Sequence, residues 1–514
     1  MADQANQLLL GIDLGSTALK CALFDFAGNL AAETSVEYSL LTPRQKWVEI
    51  NVETYWTALR KALETLWRDP QVNARDVVSV GISAQGETLV PVDEDGTAIR
   101  NAIVWLDNRA EDEARFLQGR FGDDIYVQTG QPTMLATWPA AKLLWLTRHE
   151  PEVRERTHKF LLIEDWLIWK LTGEYISEGS LVTSTCYWNP STKEWWPEML
   201  DAINVGKEQL PTVVEPGSLV GTIRRAAAED LGLPTTVKIC AGALDQACGA
   251  IGAGNVTAGQ FSENTGAAVA LCATVPKMTF DPNRAIPCHY HGVPNTYMMH
   301  TFTSGGIVLR WFRDQFCEPQ LQSAAQSGGD SYALLGELAA TVKPGADGLL
   351  LLPHLQGAMA PENNSSASGA LIGLTLQHGR GHVLRAIFES VAFIVRRNVD
   401  AIEPLGPKIE KVRALGGGAR SPIWKQIEAD VLGRPVVTMK HSDAGALGAA
   451  ILGGIGIGAW SDVSEATEHL VVEKQLYEPN PEHKALYEDR YAAYTAAYEA
   501  LVPTYQHLAS SVAN

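Results

Sequence analysis

Four short segments set small residues beside carboxylates or hydroxyls in a way that suits phosphate chemistry. The first is Gly11-Ile-Asp13-Leu-Gly15-Ser16-Thr17-Ala-Leu-Lys20. Small residues let backbone N–H groups approach phosphate oxygens with no Cβ in the way. The Thr17 hydroxyl and the Lys20 ammonium could add donors, and Asp13 could hold Mg²⁺ through water. A plain glycine-containing hairpin accounts for the same residues equally well. The second segment, Asn264-Thr265-Gly266-Ala267, repeats this design. One such turn says little, but two, each between apolar strands, suggest facing loops that clamp one nucleotide.

The third segment, Gly242-Ala-Leu-Asp245-Gln246, delivers a carboxylate at the end of an apolar run. Ligands of open α/β sheets bind at that edge. Phosphoryl transfer to an alcohol needs positioning, charge neutralisation and a base that accepts the hydroxyl proton late, and one Asp can be that base. Asp is also a common helix N-cap, which is the competing role for Asp245. The fourth segment, Gly416-Gly417-Gly418-Ala419-Arg420-Ser421, permits close passage of an adenine or ribose, with a flexible turn as the other account. Neither G-x-x-x-x-G-K-[ST] nor a strict G-x-G-x-x-G occurs, which disfavours P-loop and Rossmann sites. His289-Tyr-His291 lacks a third ligand at useful spacing, and Trp138, Trp195 and Trp196 read as packing residues.

The elements that must position these segments follow from hydrophobic periodicity. Leu8–Ile12 and Ala18–Phe24 read as a strand, tight turn and strand. Tyr55–Trp67 places Trp56, Leu59, Leu63 and Leu66 on one helical face. Val77–Ile82 and Val237–Ala243 read as strands, and Glu164–Thr172 as a helix stopped by Gly173. Near residue 258 the opening design recurs, followed by an amphipathic helix from His382 to about Ile402, a strand at Val412–Leu415 and a helical tail dense in Ala and Tyr. Strands and helices interleave through both halves, which predicts an α/β class.

At 514 residues the chain exceeds one ordinary core, so two large domains are expected. A net charge of −18 argues against a nucleic-acid partner, which requires a concentrated basic patch. Seven scattered cysteines without a C-x-x-C pair suggest neither a zinc ribbon nor a disulfide framework, and fit a reducing compartment. The polar start lacks the pattern of a secretory signal, and Gly445–Trp460 is shorter than a bilayer span, so a cytoplasmic protein without membrane attachment is expected.

Taken together, the segments resemble the FGGY family of carbohydrate kinases. The resemblance runs from Leu8 to about Trp460. Its most specific element is Gly369-Ala-Leu371-Ile-Gly373-Leu374, then seven intervening residues, then His382-Val383-Leu-Arg-Ala386-Ile-Phe-Glu389. Gly11–Lys20, Trp105-Leu-Asp107-Asn-Arg109, Asp165–Gly173, Asp245 and Gly416–Ser421 fall in the family's order. The resemblance implies two ribonuclease-H-like (actin-like ATPase) domains flanking a deep cleft, at residues 1–257 and 258–514, with the last helices packing back on the first. It implies ATP and Mg²⁺ as cofactors, Asp245 as base and Asp13 as the metal-associated carboxylate. Thr17, Lys20, Thr265 and Gly266 would line the phosphate loops, and Gly306, Gly417 and Gly418 would lie near the nucleoside.

Gln85, Gly86, Glu87, Trp105, Asp107, Asp245 and Gln246 would form the sugar site, and a homodimer is implied. Family members acting on xylulose usually carry Met-His after the Gln; those acting on glycerol carry Arg-Glu. Gly86-Glu87 reproduces neither. A carboxylate at Glu87 can accept two sugar hydroxyls and would repel an acidic substrate, which favours a small neutral sugar or polyol, D-xylulose first.

Overall fold

The structure, a computed structural model, describes residues 6–441 and 443–512. It divides into two compact units. One holds Met1–Ala258, Thr274–Met298 and Asp443–Val471; the other holds Gly259–Ala273, Met299–Ser442 and Val472–Asn514. The division therefore departs from a single cut after residue 257, because two later segments return to the first unit.

The first unit is built on a mixed sheet. Its strands are β1 (Leu8–Leu14), β2 (Ala18–Asp25), β3 (Leu30–Glu37), β4 (Val77–Ala84), β5 (Leu219–Thr222), β6 (Lys238–Cys240) and β7 (Ala243–Leu244), in the order β5-β6-β4-β1-β2-β3 with β7 beside β4. β1 to β3 are antiparallel neighbours, and β4 lies parallel to β1. The near-continuous apolar run of β1 fits a central strand covered on both faces. Helix α1 (Glu53–Leu66) buries Tyr55, Trp56, Leu59, Leu63 and Leu66 in the same core. The expected strand Val237–Ala243 is interrupted at Ala241–Gly242. There the chain passes so close to β4 that a Cβ on Gly242 would fall 1.4 Å from the Ile82 carbonyl oxygen.

Helix α3 (Ile163–Thr172), which ends on Gly173 at φ 90°, packs on this sheet, whereas helix α2 (Pro139–His149) belongs to a second apolar cluster with Leu89 and Ile103. Helix α4 (Asp245–Gly252) follows β7 directly.

The second unit repeats the design. Strands β8 (Phe261–Thr265) and β9 (Ala268–Val275) form an antiparallel hairpin, and β10 (Val412–Leu415) lies parallel to β8, as β4 does to β1. β11 (Val436–Met439) and β12 (Glu473–Tyr477) extend the sheet. Helices α5 (Gly306–Phe316), α6 (Arg380–Ile402) and α7 (Pro422–Leu432) belong to this unit.

Helix α8 (Ala444–Gly456) is the Gly/Ala-rich stretch seen in the sequence. It is apolar all round because it is buried all round. It lies on β1, β4 and α4 at backbone contact. A Cβ on Gly11 would fall 1.9 Å from the Ala446 carbonyl oxygen, on Gly81 1.8 Å from that of Ala449, and on Gly448 2.0 Å from that of Cys248. The long C-terminal helix α9 (Lys484–Val512) was expected to return to the first domain. It packs instead on α6 and α7 of the second unit, burying Tyr487, Tyr494, Tyr498 and Tyr505 as one stripe. Among the described residues no helix is long and apolar enough to cross a membrane.

Candidate active site

Pairing registers bring the chemistry of the first unit onto one line across four strands. Asp13 on β1 lies opposite Lys20 on β2 and opposite Ser83 on β4, and Ser83 in turn pairs with Ala243 on β7. The Ser83 hydroxyl donates to Asp13 Oδ1 at 2.7 Å. Lys20 Nζ donates to Asp443 Oδ2 at 2.5 Å. Desolvation and the neighbouring Asp443 raise the Asp13 carboxyl to about 6, against the opposing pull of Ser83 and Lys20.

Asp245 begins α4 two residues after that line. Its role as N-cap, open from the sequence, is not what the structure shows: Leu244 occupies the cap, and Asp245 Oδ1 accepts only the adjacent Gln246 N–H, at 2.8 Å. Its carboxyl is raised to about 8, first by desolvation, then by Asp13, with a further push from Glu87. The Gly242–Asp245 segment is itself held by buried carboxyls. Glu164 accepts the Gly242 N–H at 2.8 Å, and Glu178 grips Ser180, whose hydroxyl accepts the Leu244 N–H at 3.0 Å.

The expected sugar residues divide into two groups. Gln85, Trp105 and Asp107 are spent on support. Gln85 is buried and donates to the Tyr55 hydroxyl at 2.7 Å and to the Gly15 carbonyl at 3.2 Å, while accepting the Ser16 hydroxyl at 3.1 Å. Trp105 Nε1 donates to Ser16 Oγ at 2.7 Å. The Asp107 carboxylate is fully buried, and both its oxygens are taken by Arg109 and by the Val48 N–H. These three stiffen the turn after β1 and the loop beside it.

Glu87, Asp245 and Gln246 stay partly open, with Gly86 buried beside them. Glu87 sits at φ 59°, and Lys142 Nζ on α2 donates to its carbonyl at 3.1 Å and to that of Val104 at 2.9 Å. Desolvation raises the Glu87 carboxyl, opposed by the Ser184 hydroxyl and the Lys142 ammonium. Burial in turn pulls Lys142 down to about 7. A Cβ on Gly86 would meet only the Leu244 side chain at 2.9 Å and Ser184 Oγ at 3.7 Å.

In the first turn, Gly15 N–H donates to the Ala18 carbonyl at 3.0 Å, and Thr17 is exposed at the tip. The second unit matches it, with Gly266 N–H donating to the Ala268 carbonyl at 2.9 Å. Gly306 N–H donates to the Gly266 carbonyl at 3.0 Å, which fixes the front of α5 on this turn; a Cβ on Gly306 would lie 2.5 Å from that oxygen. Gly416 and Gly418 pack on Thr265 at distances a side chain would forbid, whereas Gly417 presents an open face, its nearest neighbour 3.9 Å from where a Cβ would stand. Thr265 differs from the expectation of a free donor: its hydroxyl donates to Glu263. Glu263 is held by Lys425 Nζ at 3.0 and 3.1 Å, and Lys425 also binds Glu428, all buried.

Sequence reasoning missed Asp443, Ser83, Lys142, Ser184 and the Glu263–Lys425–Glu428 group. Only Asp443 left a local signal, a carboxylate set just ahead of a glycine-rich helix.

Two units with the same hairpin, the same parallel neighbour and the same small-residue turn define the two-domain actin-like ATPase fold of sugar kinases. The chain belongs to the FGGY family of carbohydrate kinases: the family's N-terminal domain matches residues 8–252 and its C-terminal domain residues 265–457. It is a sugar kinase, and this family uses ATP.

The chain is 30% identical over 497 residues to a xylulose kinase of Staphylococcus epidermidis, covering 96% of this chain and 97% of that protein. It is 30% identical over 501 residues to an autoinducer-2 kinase of an Enterobacter species, covering 95% and 94%. The crystal structure of a ligand-bound xylulose kinase from Lactobacillus acidophilus superposes with a TM-score of 0.88 at 27% identity, covering 98% of this chain and all of that one.

Proposed function

We propose that this enzyme transfers the γ-phosphate of ATP to a hydroxyl of a small neutral sugar, D-xylulose before other ketopentoses or polyols, with Asp245 as base. The observation that carries this is the Asp245 carboxyl: it is raised to about 8, sits beside Asp13 and Glu87, and is not consumed by helix capping.

In the transfer, the sugar hydroxyl oxygen forms the new O–P bond as the bond from phosphorus to the β-phosphate oxygen breaks. The hydroxyl proton passes to Asp245, and ADP leaves. Glu87, held by its positive-φ backbone and by Lys142, accepts sugar hydroxyls next to that base. Thr17, Lys20 and the Gly266 turn meet phosphate oxygens, while Gly417 and Gly306 give close backbone approach. The donor set fits a magnesium–nucleotide: Asp13 offers a half-buried carboxylate on a strand end, and Gly417 leaves a surface that a Cβ would fill. Asp13 would be the residue to hold Mg²⁺, which when bound would offset the phosphate charge.

The same reading makes the enzyme a cytoplasmic homodimer with neither a nucleic-acid nor a membrane partner. Production of ADP measured across ketopentoses, polyols and aldonates tests the substrate class. D-xylulose should give the highest kcat/KM and aldonates the lowest; a preference for an aldonate would sink the neutral-sugar assignment.

A further inference from the structure

Among the described residues of the first unit, the Lys20–Asp443 ion pair occupies an expected phosphate donor with a protein anion. Its distance is 2.5 Å, and the two side chains are 45% and 29% exposed. The two residues stand 423 positions apart in the chain. Asp443 is delivered by the front of α8, and α8 cannot drift: Gly11, Gly81 and Gly448 let it rest backbone on backbone against β1, β4 and α4. Gly445 lies so near Asp13 that a Cβ there would stand 3.3 Å from the carboxylate. Asp443 is therefore a fixed negative charge beside Asp13, and Lys20 is the mobile partner, a flexible four-carbon stem with three donors.

We propose that Asp443 is a positioning residue that sets nucleotide affinity by competing with phosphate for Lys20. The inference rests on the reading of Lys20 as a phosphate ligand. An incoming phosphate must share or take the Lys20 ammonium, and it does so next to two carboxylates of its own sign. Both effects lower affinity for ADP as well as ATP, and so favour release of the spent nucleotide, and product release is the slow step in many enzymes. The glycine contacts beneath α8 keep this competitor from moving aside, so the exchange falls to the lysine alone.

The test is calorimetric titration of ADP, without divalent cation and without sugar, into the whole enzyme and into Asp443→Asn, Lys20→Met and the double variant. Asp443→Asn should tighten ADP about two- to fivefold, the range of a partly exposed ion pair. In the Lys20→Met background the same change should tighten ADP by less than about half as much on a logarithmic scale, because the competition is gone. Asp443→Glu, which keeps the charge, should return affinity toward the parent value. In steady-state assays with Mg-ATP the Asp443→Asn effect should appear in KM for ATP and leave KM for the sugar unchanged.

If Asp443→Asn weakens ADP, or tightens it equally with and without Lys20, the proposal is overturned. If Lys20→Met itself leaves ADP affinity unchanged, the phosphate role of Lys20 fails, and that result is separate from a failure at Asp443 alone.

Discussion

Asp245 is a carboxylate kept in surroundings that disfavour its charge. Desolvation, Asp13 and Glu87 all push it toward the protonated form, and only one backbone N–H opposes them. Its base form therefore grows as pH rises through about 8, and kcat/KM for the sugar should climb close to tenfold per unit below that value and level off above it. A flat profile between pH 6 and 9 would remove Asp245 as the titrating base. Asp245→Asn should lower kcat about 10²- to 10⁴-fold while sugar and nucleotide still bind, which calorimetry can check.

The same substitution should stabilise the fold. A carboxyl whose folded value lies above its unfolded value loses stability as pH rises from about 4 to about 8, because the unfolded chain releases its proton first. Asp245→Asn removes that loss, so its melting temperature should exceed the parent's at pH 8, by about 2 °C. Glu87→Gln should raise KM for the sugar several-fold and leave KM for ATP near its parent value. Equal effects on both would place Glu87 outside the sugar pocket.

At the scale of elements, the turn after β8 is held from behind by charge. Thr265 hangs on Glu263, which is clamped by Lys425, while Gly418 closes over its methyl and Gly416 over its backbone carbonyl. Thr265→Val keeps the shape and removes the hydroxyl, so KM for ATP should rise about three- to tenfold with kcat for bound substrates less affected; Thr265→Ser should restore it. An unchanged KM in Thr265→Val would mean that the Glu263–Lys425 pair serves the core alone.

These elements were unequally legible. Strands β1, β2 and β8 and helices α1 and α3 follow from alternation, periodicity and the glycine stop at Gly173, all of which are local. The break in the expected strand Val237–Ala243 was invisible, because its cause is the Ile82 carbonyl, 160 residues earlier in the chain. Asp107 and Gln85 read as candidate ligands because a carboxylate and an amide look alike whether they meet a substrate or Arg109 and Tyr55. Their commitments appear only once the loops are folded. Asp443 was half-hidden for the same reason: its place ahead of a glycine-rich helix marks a helix start, but only the folded contact with Lys20 gives it a partner.

For the molecule as a whole, the first unit is discontinuous. Residues 1–258 contain β1, β4 and α4 but lack α8, the helix that covers all three. A chain cut after residue 257 should therefore expose a wide apolar face and fail to give a cooperative thermal transition. A permuted chain that joins residues 443–471 to that fragment should recover one. Cooperative melting of the truncated piece alone would show that α8 is dispensable. The recurring hairpin and turn made the two-part organisation readable, but a repeat cannot announce which half a later helix will join.

That discontinuity has a consequence during synthesis. The ribosome completes the sheet of the first unit well before it reaches α8, whose residues begin about 200 positions later. At about 5–20 residues per second the wait is roughly 10–40 s. Throughout that interval Gly11, Gly81 and the apolar flank around them have no lid, so the nascent chain should be open to chaperones until α8 is made. Slower translation of the intervening stretch would lengthen this exposure, and yield in a cell short of chaperones should fall accordingly.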